Sequence, residues 1–367
     1  KGEPLKYDAG DAFEGMEEAE LLNKLAAEGS ANIVAGGATL TATDSIQMEG
    51  MANFVVGTEL TDVVEAFMER DFDSLGQGAT QTTKLTAETG DVSITGNMNV
   101  LLNADVVAKG GNVSINGGSG LDNNSIINNS VLTAEQGQVT FADTVVTGSG
   151  SSASAATGMT LANATVMLDD VTLFGGETTI AADSLLAVTD SFVSFGGEIE
   201  NMGTLSLNDV ALSGGSDLVN GGVIEIDGDL SLDSAKLTFV VNGLTDNETA
   251  ITLGGEANIL DGGSVDVTFV IEGDKVASAL YNFQEFSFVL FENASDEDFV
   301  NLRDALAGND VSFTLNNSDW NAYTNGVELK HEGGNIVITG SVMVPEPTTA
   351  TLSLLALAAL AARRRRK

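Results

Sequence analysis

The sequence predicts an all-β fold: a right-handed parallel β-helix, or β-solenoid, with small α+β capping regions and a C-terminal transmembrane helix. Three observations point there. Short runs of alternating apolar and small polar residues recur between Gly, Asn and Asp turns, which is strand periodicity. The runs repeat at an irregular period of about 20–26 residues, as stacked rungs with variable turns require. Finally, the 340 residues between Pro4 and Pro345 contain no proline, and aromatic residues make up only 5%, 16 of the 20 being Phe. Val, Ile, Leu and Ala must therefore build the core, and these small side chains stack well in a narrow interior. Tandem antiparallel β-sandwich domains would also satisfy the turn spacing. The solenoid is preferred because its texture repeats without proline or aromatic landmarks.

Residues 1–84 read as an N-terminal mixed segment or cap. Phe13, Met16, Leu21, Leu22, Leu25 and Ala26 have roughly helical spacing, with Gly29 just past the end. Strand-like runs follow at Asn32-Ile33-Val34 and Thr39-Leu40-Thr41. A second helix is expected at 61–70, capped by Thr61 or Asp62, with Val63, Val64, Phe67 and Met68 as its apolar face. A cap has a physical purpose, since the open end of a solenoid exposes its core and an unpaired strand edge.

Residues 85–277 carry the repeats. Gly90-Asp91-Val92-Ser93-Ile94 returns 21 residues later as Gly111-Asn112-Val113-Ser114-Ile115, and 26 later as Gly137-Gln138-Val139-Thr140-Phe141. Gly158-Met159-Thr160-Leu161, Glu177-Thr178-Thr179-Ile180, Gly203-Thr204-Leu205-Ser206-Leu207 and Gly222-Val223-Ile224-Glu225-Ile226 continue the pattern. At about 21 residues and about 4.8 Å per rung, this region makes roughly nine rungs and a rod roughly 43 Å long. Asn123-Asn124 and Asn128-Asn129 form either a stacked ladder or a polar turn.

Residues 278–344 read as a C-terminal β-rich cap with a short helix. Phe283, Phe286, Phe288, Phe291 and Phe299 cluster here with Trp320. Ser295 is placed as the helix cap, with acids in the first turn and Asp298 at the reciprocal capping position. Phe299, Leu302 and Leu306 form the inner face, and Gly308 with Asn309 ends the helix. Val311–Leu315 and Asn335–Thr339 are further strands.

Composition excludes whole classes of function. Lys and Arg total 15 against 53 Asp and Glu, a formal charge of -38. Residues 1–344 alone hold 10 cations and 52 anions. A nucleic-acid partner is therefore not expected, because phosphate binding needs a basic footprint. There is no cysteine and one histidine, His331, which rules out thiol chemistry and multi-histidine metal centres. His331 is read as an exposed side chain. Asp169-Asp170, Asp227-Gly228-Asp229 and Asp296-Glu297-Asp298 bring carboxylates together, but solvated surface or helix capping explains each better than glycoside chemistry. No Asp-x-Asp-x-Asp-Gly calcium loop occurs. No catalytic, cofactor-binding or metal-binding residue is assigned. The chain begins with Lys, so an upstream leader is expected to be missing from this sequence.

Residues 345–367 have a different character. Pro345-Glu346-Pro347 is followed by 15 uncharged residues, Thr348 to Ala362, and by Arg363, Arg364, Arg365, Arg366 and Lys367. A helix of that length spans about 22 Å, short for a hydrocarbon core of about 30 Å unless flanking residues and snorkelling Arg side chains extend it. The cations would remain cytoplasmic as a membrane-stop cluster. This tripartite tail resembles the PEP-CTERM sorting signal of Gram-negative bacteria. The resemblance implies Sec export, transient inner-membrane anchoring, recognition by an exosortase membrane protease near the Pro-Glu-Pro, and delivery to the cell surface or extracellular matrix. The acidic repeat body is similar in texture to autotransporter-like members of that group. The expected function is a non-enzymatic structural or adhesin-like surface protein whose partners include extracellular polysaccharide or a host or matrix surface. The alternative is a secreted β-helix polysaccharide lyase or glycosidase.

Overall fold

A computed structural model describes residues 31–59, 61–62, 65, 81–118, 124–147, 150–173, 175–195, 197–212, 216–241, 244, 249–259, 265–271, 283–306, 311–315, 318–319 and 324–343. The helical segment expected within residues 1–30 and the tail from 344 onward lie outside these residues. Of the expected helix at 61–70, Thr61, Asp62 and Glu65 are described; they are helical and exposed.

The described chain winds as a parallel β-solenoid with three strands per turn. The first turn consists of Ala31–Ala35, Thr39–Ala42 and Ile46–Glu49. Each strand pairs in parallel with its counterpart one turn on: Ala31 with Ala52, Thr39 with Lys84, Ile46 with Val92. Ten complete turns of this kind run from Ala31 to Ile271. The first turn and the opening strand of the second use residues 31–56, upstream of Leu85 where the repeat texture becomes visible. The residues between Val56 and Thr83 separate two consecutive strands of the second turn, so the 21-residue step from Asn32 to Asn53 becomes 46 from Ser45 to Asp91.

The three stacks form a first, a second and a third face. The first two merge into one sheet, because Leu185–Phe195 and Thr204–Leu212 run unbroken through the corner between them. Alternation decides what is inside. In Val92–Gly96 the apolar residues are buried and Ser93 and Thr95 face outward, and Leu230–Leu232 and Val265–Ile271 follow the same rule. Interior columns form where like meets like, as in Ile94, Ile115, Phe141 and Leu161 on the third face. The first face departs from the rule early on. Ala52–Val56 and Met98–Leu102 are buried on both sides, and Phe54, Val100 and Leu102 form a second apolar cluster separate from the interior.

The repeated Gly-Asx-Val texture has a structural cause. At the corner leading into the third face, the side-chain oxygen of one turn accepts the backbone N–H of the next. Asp91 Oδ1 accepts from Asn112 N at 2.7 Å, and Asn112 Oδ1 from Gln138 N at 2.9 Å. The preceding glycines stack closely: a Cβ on Gly137 would lie 2.3 Å from Gly111 O. Elsewhere corners of one or two residues use left-handed Asn, as at Asn103, Asn129 and Asn163. Asn129 is thus a turn residue.

The asparagine ladder runs inside the first face instead. Asn32 Nδ2 donates to Asn53 Oδ1 at 2.8 Å, Asn53 Nδ2 to Asn99 Oδ1 at 2.8 Å, and Asn99 Nδ2 to Ser125 Oγ at 3.2 Å. Asn53 and Asn99 are fully buried. A second pair joins Asn201 to Asn220, whose Nδ2 donates to Thr249 O. It occupies the interior column between Ile180 and Phe239, and Asn201 Oδ1, facing the apolar neighbour, has no partner among the described residues.

The C-terminal end is closed by aromatics and a helix. Phe239, Phe269 and Phe313 stack in register at centroid distances of 5.6 Å, and Phe288 packs 4.5 Å from Phe269. Helix α1, Asp296–Leu306, lies where an eleventh strand of the second face would be, against Ala257–Ile259. Its expected cap is present: Asp298 N donates to Ser295 Oγ at 3.1 Å and Ser295 N to Asp298 Oδ2 at 2.6 Å. The other oxygen of Asp298 accepts the edge N–H of Ala257 at 2.8 Å. One buried carboxylate thus starts the helix and terminates the second face. Beyond it, Phe283–Glu292, Asn335–Met343 and Thr324–Glu332 form an antiparallel sheet, with Asn335–Met343 in the middle. Gly333 and Gly334, both at positive φ, turn its last hairpin.

Candidate functional site

Each acidic cluster singled out in the sequence contributes one carboxylate that accepts backbone N–H groups: Asp169, Asp229 and Asp298. Asp169 accepts the backbone N–H of Gly150 at a corner, while Asp170 begins the strand Asp170–Leu173. Asp229 N donates to Asp209 Oδ1 at 2.8 Å, and Asp229 Oδ1 accepts from Glu256 N at 2.9 Å. Carboxylates here do what asparagine does at other corners: they satisfy the N–H of the adjoining turn. Among the described residues no three His, Cys, Asp or Glu side chains converge in a way that would hold a metal ion.

The lysines of the solenoid pair with acids on neighbouring turns. Lys84 pairs with Asp105 at 3.1 Å, Lys109 with Glu88 at 2.9 Å, and Lys236 with Asp217. The hydrogen bond and charge of Glu88 raise the pKa of the exposed Lys109 ammonium above the ordinary lysine value.

His331 is not the exposed residue the sequence suggested. Its side chain is 20% exposed. Nδ1 lies 2.7 Å from Asp296 Oδ1, Nε2 lies 3.0 Å from Ala294 O, and the ring stacks on Phe299. The hairpin folds back onto the start of α1, a tertiary contact that no local pattern at 330–332 announces.

An outward row lies on the third face, where Ser93, Ser114, Thr140, Thr160 and Thr179 stand in register over five consecutive turns. The last described strand ends at Met343.

Residues 344–367 match the PEP-CTERM protein-sorting motif. The match starts at the residue after that strand and takes in Pro345, Glu346, Pro347 and the cluster Arg363, Arg364, Arg365, Arg366 and Lys367, all outside the described residues. It covers the tail alone; the autotransporter-like texture of the body has no counterpart among the family matches. No curated protein and no solved structure matches this chain. No helix among the described residues is long and apolar enough to cross a membrane, and the Thr348–Ala362 run falls outside them.

Proposed function

We propose that this chain is an exported structural protein of the cell surface or extracellular matrix, in which a non-enzymatic β-solenoid is the cargo and the PEP-CTERM tail the address. The observation that carries this reading is the junction at Met343. A closed, helix-capped solenoid ends there, and the sorting motif begins at residue 344. In this reading Sec machinery exports the chain. The hydrophobic run Thr348–Ala362 holds it in the inner membrane with Arg363–Lys367 inside, and an exosortase recognises the Pro345-Glu346-Pro347 region. The released body is a rod with repetitive faces, and its acidic charge keeps it hydrated. Adhesion to polysaccharide or to a host or matrix surface would use those faces.

Intact mass and C-terminal peptide mapping of protein recovered from the cell surface test this reading. The expected product ends near Pro347 and lacks the hydrophobic run and the arginines. Recovery only as a chain ending at Lys367, in the inner membrane, would overturn it.

A further inference from the structure

The outer face of the C-terminal antiparallel sheet holds a depression of about 520 Å³. Three strands build it, and the register places the lining: Glu285 is opposite Ser341, Ser287 opposite Thr339, and Thr339 opposite Glu328. Lys330 joins from the edge strand, 3.7 Å from Glu328. Gly326 carries no side chain to fill it, and a Cβ there would meet nothing within 4 Å. Gly340, opposite Phe286, turns its bare side to the buried face, where a Cβ would meet the Phe286 ring at 2.6 Å. Gly326 sits at positive φ in the irregularity between Asn325 and Glu328 that bends the edge strand.

We propose that this depression binds a neutral oligosaccharide. The lining selects that class on three grounds. First, Glu285 and Glu328 stand on the two outer strands with the central strand between them, about two strand spacings of about 4.8 Å apart. They flank the floor rather than converge, so they embrace a ligand and do not cage a cation. Second, two carboxylates against one ammonium, itself shared with Glu328, repel phosphate or carboxylate ligands. Third, the lining presents the hydroxyls of Ser287 and Thr339, which both donate and accept, beside carboxylates that only accept and an ammonium that only donates. A ligand covered in hydroxyl groups meets all three kinds of polar partner. The volume accommodates two or three sugar units. The lining residue Ser341 stands two residues before Met343, on the body that the reading above delivers outside the cell. It does not depend on that delivery.

The test is saturation-transfer NMR of the purified full chain with cellotriose, maltotriose, mannotriose and tri-N-acetylchitotriose. At least one should bind with a Kd of about 1 mM or tighter. Ser287→Trp, which fills the depression, should weaken binding at least about tenfold, and Glu328→Gln several-fold, at unchanged melting temperature. Glu328 is 67% exposed, so its amide variant keeps the test valid even if the tryptophan disturbs the sheet. Absence of binding by every sugar up to about 20 mM, or binding that both variants leave intact, would overturn the proposal. Neither result bears on where the tail is cut.

Discussion

Asn53 shows how single residues hold this solenoid. Its amide accepts from Asn32 and donates to both Asn99 Oδ1 and Thr95 O, in a fully buried position. Asn53→Ala removes two donors and an acceptor; the buried Asn99 Oδ1 loses its donor, while the half-buried Asn32 and Thr95 keep Glu49 O and Gly50 N as partners. A loss of about 2–4 kcal/mol is expected, because orphaned buried polar groups cost more than a hydrogen bond returns; urea unfolding monitored by circular dichroism measures it. Asp298 is the corresponding residue at the other end. Asp298→Ala leaves Ser295 N and Ala257 N unsatisfied and should cost about 2–3 kcal/mol, while Asp298→Asn, keeping one acceptor, should recover part of that. Equal losses for the two variants would mean that the carboxylate does not bridge helix and sheet. Lys109 marks the lower limit of such effects. Its raised pKa means that its pairing is fully present below the ordinary lysine pKa and is lost only as pH rises through the elevated value, so it is constant across neutral pH.

At the scale of the strand and its corner, close approach between turns is the governing constraint. A Cβ on Gly222 would lie 2.1 Å from Gly203 O, a backbone atom of the previous turn that cannot move alone. Gly326 has positive φ, but a Cβ there would project into open space, with no atom within 4 Å. Gly222→Ala should therefore cost about 2–4 kcal/mol through displaced turns, and Gly326→Ala only about 1 kcal/mol through backbone strain. Thermal melts of the two variants separate the mechanisms, and a reversed order would contradict the packing described. Much of this scale was legible in the sequence: the strand alternation, the Gly-Asx corners, and the Ser295–Asp298 cap of α1 all come from residues within a few positions of one another. The asparagine ladder was not. Asn32 lies 21 residues before Asn53, and Asn53 lies 46 before Asn99, so only the register across the insertion after Val56 brings them into line.

For the whole molecule, charge and closure matter most. A formal charge of -38 on one chain produces self-repulsion that salt screens. Raising NaCl from about 0.05 to about 0.5 M should raise the melting temperature by several degrees, since the Debye length shrinks about threefold. A flat or falling response would show that local pairing outweighs the net field. The described fold closes at Met343. A chain cut after Met343 should keep the melting temperature of the full chain in differential scanning calorimetry, and a marked loss would show that the tail contributes to the body.

Sequence alone was enough for the parallel β-solenoid class of the body and for the sorting motif at 344–367. Both are local signals: period-two alternation is written into most strands, and the motif is a run of consecutive residues that needs no partner from the fold. Tertiary structure alone decided which residues meet. It carried the solenoid upstream to Ala31, set Asp169, Asp229 and Asp298 against backbone N–H groups of neighbouring turns, drew His331 onto α1, and opened a polar depression on the C-terminal sheet. The physical reason is register: in a solenoid every contact between turns joins residues about one turn apart in sequence, and insertions change that distance without changing the alternation that marks each strand.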